Sequence, residues 1–312
     1  MKFCYRCSKR HLVLRYLIAG LSITTVILLY ILNVLFPWVW VGIVNLLDLY
    51  GGYWTPDDLL RNSISEKDRA QLVSLLKVLL PVLDEGNFTY LVYGGTLLGS
   101  WRHHAMMAWD DDIDIMIDYD RRGAVIQALK VLEPDFVIYD TGCVVKFHRK
   151  DTKIVKGKKW GWPFVDVTFF GHNSTHLWDM NSFWISIKYK LTDVFPLHKR
   201  PFESLMVNSP HNTLSVLYKV FGKTDTCSSW IYSHKVETAA NLVTYVKCET
   251  LKDVYPFVHR KFVNGKMRET LMKGDKVLHV VNVDELEENL SSPYSLERLR
   301  STLDYNNSTV GP

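Results

Sequence analysis

No long basic run interleaved with aromatics occurs in the 312-residue chain, and its formal net charge of +4 is mild. Nucleic-acid polymers are thereby set aside as partners, and any nucleotide bound is a small one. No internal repeat recurs, so the chain is not an array of small units. Cysteine is scarce, with five in the whole chain. Cys4 and Cys7 form a Cys-x-x-Cys, but no second pair or histidine cluster completes a zinc site. That leaves a juxtamembrane palmitoylation site or inert thiols. The length accommodates a membrane anchor and one α/β domain of about two hundred residues, with no room for a second full domain.

Charge is also missing from Tyr16 to Phe36, a mostly apolar run long enough for one membrane crossing. Lys2, Arg6, Lys9, Arg10 and Arg15 precede it, whereas the nearest downstream charges are Asp48, Asp57 and Asp58. The positive-inside rule therefore predicts a cytosolic tail (1–15), an anchor (16–36), a stem (37–62) and a lumenal domain. A cleaved signal peptide fits less well, because the run is longer than a usual apolar core and Pro37-Trp38-Val39-Trp40 is a poor cleavage site. Trp38 and Trp40 would sit at the lumenal interface. Glycosylation sequons at Asn87, Asn173, Asn289, Asn306 and Asn307 agree with that topology. Of the lumenal cysteines Cys143, Cys227 and Cys248, the short separation favours Cys227 with Cys248, leaving Cys143 buried or intermolecular.

The chemistry gathers between Tyr93 and Ile117, in YGGTLLGSWRHHAMMAWDDDIDIMI. An apolar strand breaks at Gly94-Gly95, and Thr96 opens a short helix. Two glycines permit close backbone approach to an anion, the helix start offers free N–H groups, and Arg102 follows about two turns on. Gly94, Gly95, Thr96 and Arg102 are thus candidate phosphate-binding residues. His103 joins them as a candidate, with polar loop or packing roles open for it and for His104. From Asp112 the alternation Asp-Ile-Asp-Ile-Met-Ile predicts a strand with Asp112 and Asp114 on one face and Ile113 and Ile115 on the other. Carboxylates so arranged suit Mg²⁺ or Mn²⁺, which usually also take phosphate oxygens from substrate. A solvated acidic turn is the bland reading of a bare Asp-x-Asp. Asp110 continues the acidic side, and Asp111 points elsewhere unless a bulge or turn re-aims it.

A Gly-Gly break before a helix, with an Asp-x-Asp strand about a dozen residues later, resembles the arrangement of nucleotidyltransferase-fold enzymes. GGTLLGSWRHH followed by WDDDIDIMI is similar, more narrowly, to the signature of the LicD family, which includes fukutin and fukutin-related protein. Phe164-Val165-Asp166-Val167, DVFPLHKRPFE from Asp193 to Glu203, and Phe221-Gly222 extend the resemblance to roughly 66–229. Ala105 and Ala108 depart from it, since the family often has Gly and Pro there. The resemblance implies transfer of a phospho-alcohol, such as phosphocholine or ribitol phosphate, from a CDP-activated donor. It also implies that DVFPLHKRPFE closes the site around acceptor or donor.

Elsewhere, Ser63-Ile64-Ser65-Glu66 predicts a capping box before an amphipathic helix reaching about Leu80, with Leu72, Leu75, Leu76, Leu79 and Leu80 on its buried face. Arg121–Leu132 suits a helix, and 136–139, 144–148 and 164–170 suit strands. Asp166, a carboxylate on an apolar strand, needs a partner: a metal, as the fold analogy suggests, or a lysine. Lys146 alternates with Val145 and Phe147 and would face the donor diphosphate, while the neighbouring lysines are solvated. Trp109, Trp160 and Trp162 either frame a pocket for a base or cationic head group or are structural. Residues after 249 carry no catalytic motif, and Asp284–Glu288 reads as an acidic helix or loose tail.

The expected fold is therefore α/β (α+β), a nucleotidyltransferase-like mixed sheet with flanking helices over 63–248, preceded by one transmembrane helix and followed by an extension (249–312). The expected protein is a single-pass type II enzyme of the Golgi or endoplasmic reticulum. Asp112, Asp114 and Asp166 would hold the metal, with Asp111 available to accept a proton from a glycan hydroxyl. A silent scaffold of the same fold and a true nucleotidyltransferase are the alternatives.

Overall fold

The computed structural model describes residues 54–181, 187–222, 224–229, 232–239 and 244–285. The expected cytosolic tail, anchor and most of the stem lie outside the described residues, as do the sequons at Asn289, Asn306 and Asn307. Among the described residues no helix is long and apolar enough to cross a membrane.

Helix α1 (Pro56–Leu60) starts at a capping box between Thr55 and Asp58, with Pro56 in the first turn where its missing N–H costs nothing. Its Leu59 is fully buried in the main core. Helix α2 (Glu66–Glu85) is capped by Ser65, whose hydroxyl accepts from the Asp68 N–H. The sequence offers two overlapping capping patterns, Ser63…Glu66 and Ser65…Asp68, and the helix uses the second. It also runs past Pro81 to Glu85, burying Leu72, Val73, Leu75, Leu76, Leu79, Leu80 and Leu83. Each such side chain stabilises the fold by about 1.5–3 kcal/mol on burial, so the leucine face outweighs the cost of one internal proline, about 3 kcal/mol.

The chain then builds β1 (Tyr90–Val92), α3 (Gly94–His103), β2 (Ile113–Asp118), α4 (Arg122–Leu129), β3 (Phe136–Asp140), β4 (Val144–Arg149), β5 (Val165–His172), β6 (His176–Asp179) and β7 (Lys188–Lys190). These seven strands form one mixed sheet of order β1-β2-β5-β4-β3, with β6 on β5 and β7 on β6. Only β2 and β5 run parallel; the other pairs are antiparallel. Helix α2 packs against β4, β5 and α4. Fold and sheet are therefore mixed α+β with flanking helices.

Next come α5 (Leu191–Val194), the hairpin β8 (His198–Phe202) with β9 (Leu205–Ser209), and α6 (Thr213–Phe221). Gly222 ends α6 at φ +67°, which is why glycine follows Phe221 there. Strands β10 (Thr226–Ser228) and β13 (Tyr245–Lys247) pair, and between them β11 (Tyr232–Ser233) pairs with β12 (Thr238–Ala239). Cys227 and Cys248 are joined as expected, and Cys143 is buried.

The C-terminal extension is built of strands as far as Val283, and Glu285, expected in an acidic helix or loose tail from Asp284 on, is buried. Strands β14 (Phe257–Val263), β15 (Lys266–Lys273) and β16 (Lys276–Val283) form an antiparallel meander that packs on α3. A buried ionic knot fastens it: Glu269 accepts from Arg200, from Arg260 Nε at 2.7 Å and pairs with His104 Nε2 at 2.8 Å. Glu285 accepts from Arg200 Nη1 at 2.8 Å. The meander strands carry no marked motif, so this attachment is invisible until its partners meet.

Candidate active site

Register assembles the site. Asp114 on β2 lies beside Asp166 on β5, and Asp166 lies beside Lys146 on β4, so three ionisable side chains form one row across three strands. Asp112 immediately precedes β2, and one ligand atom from each of Asp112, Asp114 and Asp166 lies within 4.8 Å of the others. The isoleucine face behind them is buried: Ile113, Ile115, Val165 and Val167 are all fully enclosed.

Helix α3 points its N-terminus at this row. Its start has no side-chain cap. Gly94 takes φ +54° and a Cβ there would stand 3.2 Å from Asp114 Oδ2, while a Cβ on Gly95 would meet Asp110 Oδ2 at 2.3 Å. The two glycines therefore let the helix start close onto carboxylates, which its dipole favours. Thr96 is buried, and its hydroxyl accepts from the Asp114 N–H at 2.8 Å, tying α3 to β2.

The carboxylates crowd one another. Burial above all, then Asp112, Asp166 and Asp110, raises the Asp114 pKa well above the usual range. Burial and the Asp112 and Asp111 charges do the same to Asp110. Asp112 is pushed up to about 6 by burial, with Asp166 and Asp111 adding to it and His234 and Lys146 opposing. So many carboxylates cannot all stay ionised without a cation among them. Asp166 Oδ1 is buried and has no hydrogen-bond partner among the described residues. An orphaned buried oxygen beside two more carboxylates is the donor set that a hard divalent cation satisfies.

The lysine partner open to Asp166 from its sequence is present, since its other oxygen accepts from Lys146 Nζ at 2.8 Å. Burial works to lower the Lys146 pKa, but Asp166 and Glu237 outweigh it and raise it. Lys146 also lies 3.8 Å from the Phe164 ring centroid. Trp160 donates to Glu237 Oε1 at 3.1 Å and Trp162 to the Asp111 carbonyl at 2.7 Å, so both border the site. Trp109 does not: it is buried beside His103 and Tyr255.

Arg102 and His103 make no hydrogen bond to Asp112, Asp114 or Asp166 among the described residues, although the Asp110 charge reaches Arg102. Arg102 is buried at the far end of α3 and donates to the Thr224 and Thr226 carbonyls at 3.3 and 3.1 Å and to Cys248 Sγ at 3.2 Å. His103 Nδ1 bonds the Pro256 carbonyl at 2.7 Å and its Nε2 accepts from Arg102. Burial and the Arg102 charge hold the His103 pKa well below normal, so the ring is neutral. Both residues are framework. DVFPLHKRPFE is also framework: Arg200 enters the ionic knot, and Glu203 bonds Arg69 and the Met106 N–H. Asn87 and Asn173 are exposed.

Asp111 follows a turn at 108–109 and is aimed at the 233–235 segment. Its carboxylate accepts from Ser233 Oγ at 2.8 Å, the His234 N–H at 3.1 Å and the Lys235 N–H at 3.0 Å, and it faces His234 Nδ1 at 3.1 Å. With its lone pairs so committed, Asp111 is a clamp and not a free base. His234 Nε2 lies 3.3 Å from Asp112 Oδ2. Burial works to lower the His234 pKa, but Asp112, the Asp111 hydrogen bond and Asp166 outweigh it and push it up to about 10. Glu237 adds a second tie, to Lys146 at 3.5 Å and Lys158 at 3.3 Å. No pattern in Tyr232–Glu237 marks these residues; only their position inside the Cys227–Cys248 loop sets them apart.

Residues 87–212 match the LicD/FKTN/FKRP nucleotidyltransferase domain model. The chain is similar to mouse (Mus musculus) ribitol 5-phosphate transferase FKRP, 27% identical over 56% of this chain and 34% of that protein. It is also similar to the uncharacterized protein RP689 of Rickettsia prowazekii (strain Madrid E), 26% identical over 52% of this chain and 58% of that one. The chain thus spans about a third of FKRP and under three fifths of the rickettsial protein. The lincosamide adenylyltransferase LnuA overlays 56% of this chain and 92% of its own, at 13% identity and a TM-score of 0.31, which is too low to argue from. The carboxylate row, the glycine break and Lys146 all fall inside the segment that matches the LicD/FKTN/FKRP nucleotidyltransferase domain model.

Proposed function

We propose that the chain is a metal-dependent transferase that moves a phospho-alcohol from a CDP-activated donor to a glycan hydroxyl and releases CMP. One observation carries this: Asp112, Asp114 and Asp166 converge within 4.8 Å beside the start of α3, with a buried Asp166 oxygen that has no hydrogen-bond partner among the described residues. The family relation supports a phospho-alcohol transferase. The three carboxylates would hold Mg²⁺ or Mn²⁺, which neutralises charge on a diphosphate and its leaving group. Gly94 and Gly95 keep the α3 N–H groups open toward the same anion. Lys146 holds Asp166 in place, and Asp111 holds the 233–235 segment. Phosphoryl transfer rests mainly on positioning and charge, so no separate base is required of Asp111. A type II orientation in the Golgi or endoplasmic reticulum, inferred from 16–36 and the sequons, would bring the domain to lumenal glycans.

The test is incubation of the purified chain with a panel of CDP-alcohols and Mg²⁺ or Mn²⁺, reading CMP release and product mass. A product carrying the phospho-alcohol supports this reading; one carrying nucleotide supports nucleotidyl transfer. A silent scaffold draws on one observation, that Lys146 and His234 already supply two cations to the cluster. It predicts no CMP from any donor and no cooperative binding of metal and CDP.

A further inference from the structure

His234 lies outside the family-matched segment, yet the fold brings it into the carboxylate centre. Its Nε2 stands 3.3 Å from Asp112 Oδ2. Two ligands about 2.1 Å from one cation and at right angles to each other lie roughly 3.0 Å apart, so these atoms are spaced as neighbours in one coordination shell. On the other side of the ring, Nδ1 faces Asp111 Oδ1 at 3.1 Å. A carboxylate on one imidazole nitrogen fixes the tautomer and frees the other nitrogen to ligate.

The ring is held, not merely near. Ser233 Oγ and the backbone N–H groups of His234 and Lys235 all bond Asp111. Phe164 meets the ring edge-on at 6.1 Å and Tyr232 at 5.2 Å. The segment belongs to a loop closed by Cys227–Cys248 at the base of the β10–β13 pair, where Arg102 grips the Thr224 and Thr226 carbonyls and Cys248 Sγ. Such a strap restricts where His234 can go, and Asp166, which clusters with Asp112, has a buried oxygen with no hydrogen-bond partner among the described residues.

Resting on the metal-dependent reading above, we propose that His234 is a further metal ligand, its Nε2 joining the oxygens of Asp112, Asp114 and Asp166, with Asp111 as the positioning residue behind it. One imidazole among carboxylates shifts preference from Mg²⁺ toward Mn²⁺, because nitrogen donors suit the softer ion.

The test uses the full chain in detergent with Mn²⁺ alone. Pulsed electron paramagnetic resonance should detect a nitrogen coupled to bound Mn²⁺ in the wild type and none in His234→Ala. Calorimetry should show Mn²⁺ affinity falling about ten- to a hundredfold in that variant, and in His234→Gln, which retains bulk as a control for folding. Asp111→Asn should weaken affinity yet keep the nitrogen signal. Bound Mn²⁺ without nitrogen coupling overturns this assignment alone, as does His234→Ala binding Mn²⁺ equally or more tightly, the result for a mere counter-charge. A wild type that takes up no Mn²⁺ overturns the metal-dependent reading and this assignment together.

Discussion

Replacing Asp114 by Asn separates function from stability, because the two should move in opposite directions. Asp114 stands in the central row beside Asp166, and burial and the charges of Asp112, Asp166 and Asp110 disfavour its ionised form. An amide keeps the shape and removes one charge. For catalysis this removes a ligand charge facing the diphosphate, and loss of one such electrostatic contributor costs about 2.7–4 kcal/mol, or roughly 100- to 1,000-fold in rate. For folding without metal, the same change removes a like-charge repulsion. Relief of that kind at an active site commonly stabilises by about 0.5–2 kcal/mol. At about 2–4 °C per kcal/mol for a domain of this size, the melting temperature should rise by roughly 1–8 °C. The assay is CMP release under saturating donor, paired with thermal melting in chelator. Near-normal turnover in Asp114→Asn would refute the metal assignment; lost turnover with a lowered melting temperature would show that Asp114 acts through the fold instead.

Three further outcomes are expected. Glu269→Gln should lower stability by about 3–5 kcal/mol, since it leaves Arg200 and Arg260 buried with one fewer charge partner, and Glu285→Gln should cost less because Glu285 takes one of Arg200's bonds where Glu269 takes several; equal melting temperatures for wild type and Glu269→Gln would sink this. Asp179 is pushed up to about 7 by burial, with the Asn181 N–H opposing, so the folded state holds its proton more tightly than the unfolded chain. Its stabilising contribution is full below about pH 4 and is lost as pH rises to about 7; Asp179→Asn should therefore flatten the fall in melting temperature between pH 4 and 7, and an unchanged slope counts against it. Gly95→Val should leave a folded chain destabilised by about 1–3 kcal/mol, because its Cβ meets Asp110 Oδ2 at 2.3 Å, and should weaken CDP binding; unchanged CDP affinity by calorimetry would remove the glycines from the anion site.

Local pattern carried the parts of this fold whose cause is local. The alternation from Ile113 to Ile117 and the apolar runs at 136–140, 144–149 and 165–172 became strands because short runs of apolar and β-branched residues are written in adjacent positions, and β4 and β5 are buried almost throughout. The leucine face of α2 followed for the same reason at helical period. Asp112 and Asp114 were legible as a pair on one face, and Asp166 as a carboxylate in need of a partner. Arg102 misled because eight residues of helix rise about 12 Å, which carries its guanidinium away from Gly94 to the opposite end of α3. Its charge is used on carbonyls that the sequence does not associate with it. His234 could not be read at all, since its meaning depends on a loop folding back across the sheet. The meander after Phe257 was hidden likewise: Glu269 and Arg200 are 69 residues apart, and neither sits in a recognisable pattern.

The hydrogen bond between His234 and Asp111 spans 123 residues of chain. Chains emerge from the ribosome N-terminus first at about 5–20 residues per second, so roughly 6–25 s separate the appearance of the acidic segment from that of the histidine that meets it. During that interval Asp110, Asp111, Asp112 and Asp114 exist without the imidazole and without the strap that the Cys227–Cys248 bond later closes. The acidic segment is therefore synthesised well before the imidazole that pairs with it, and its charge partner His234 comes from the C-terminal side.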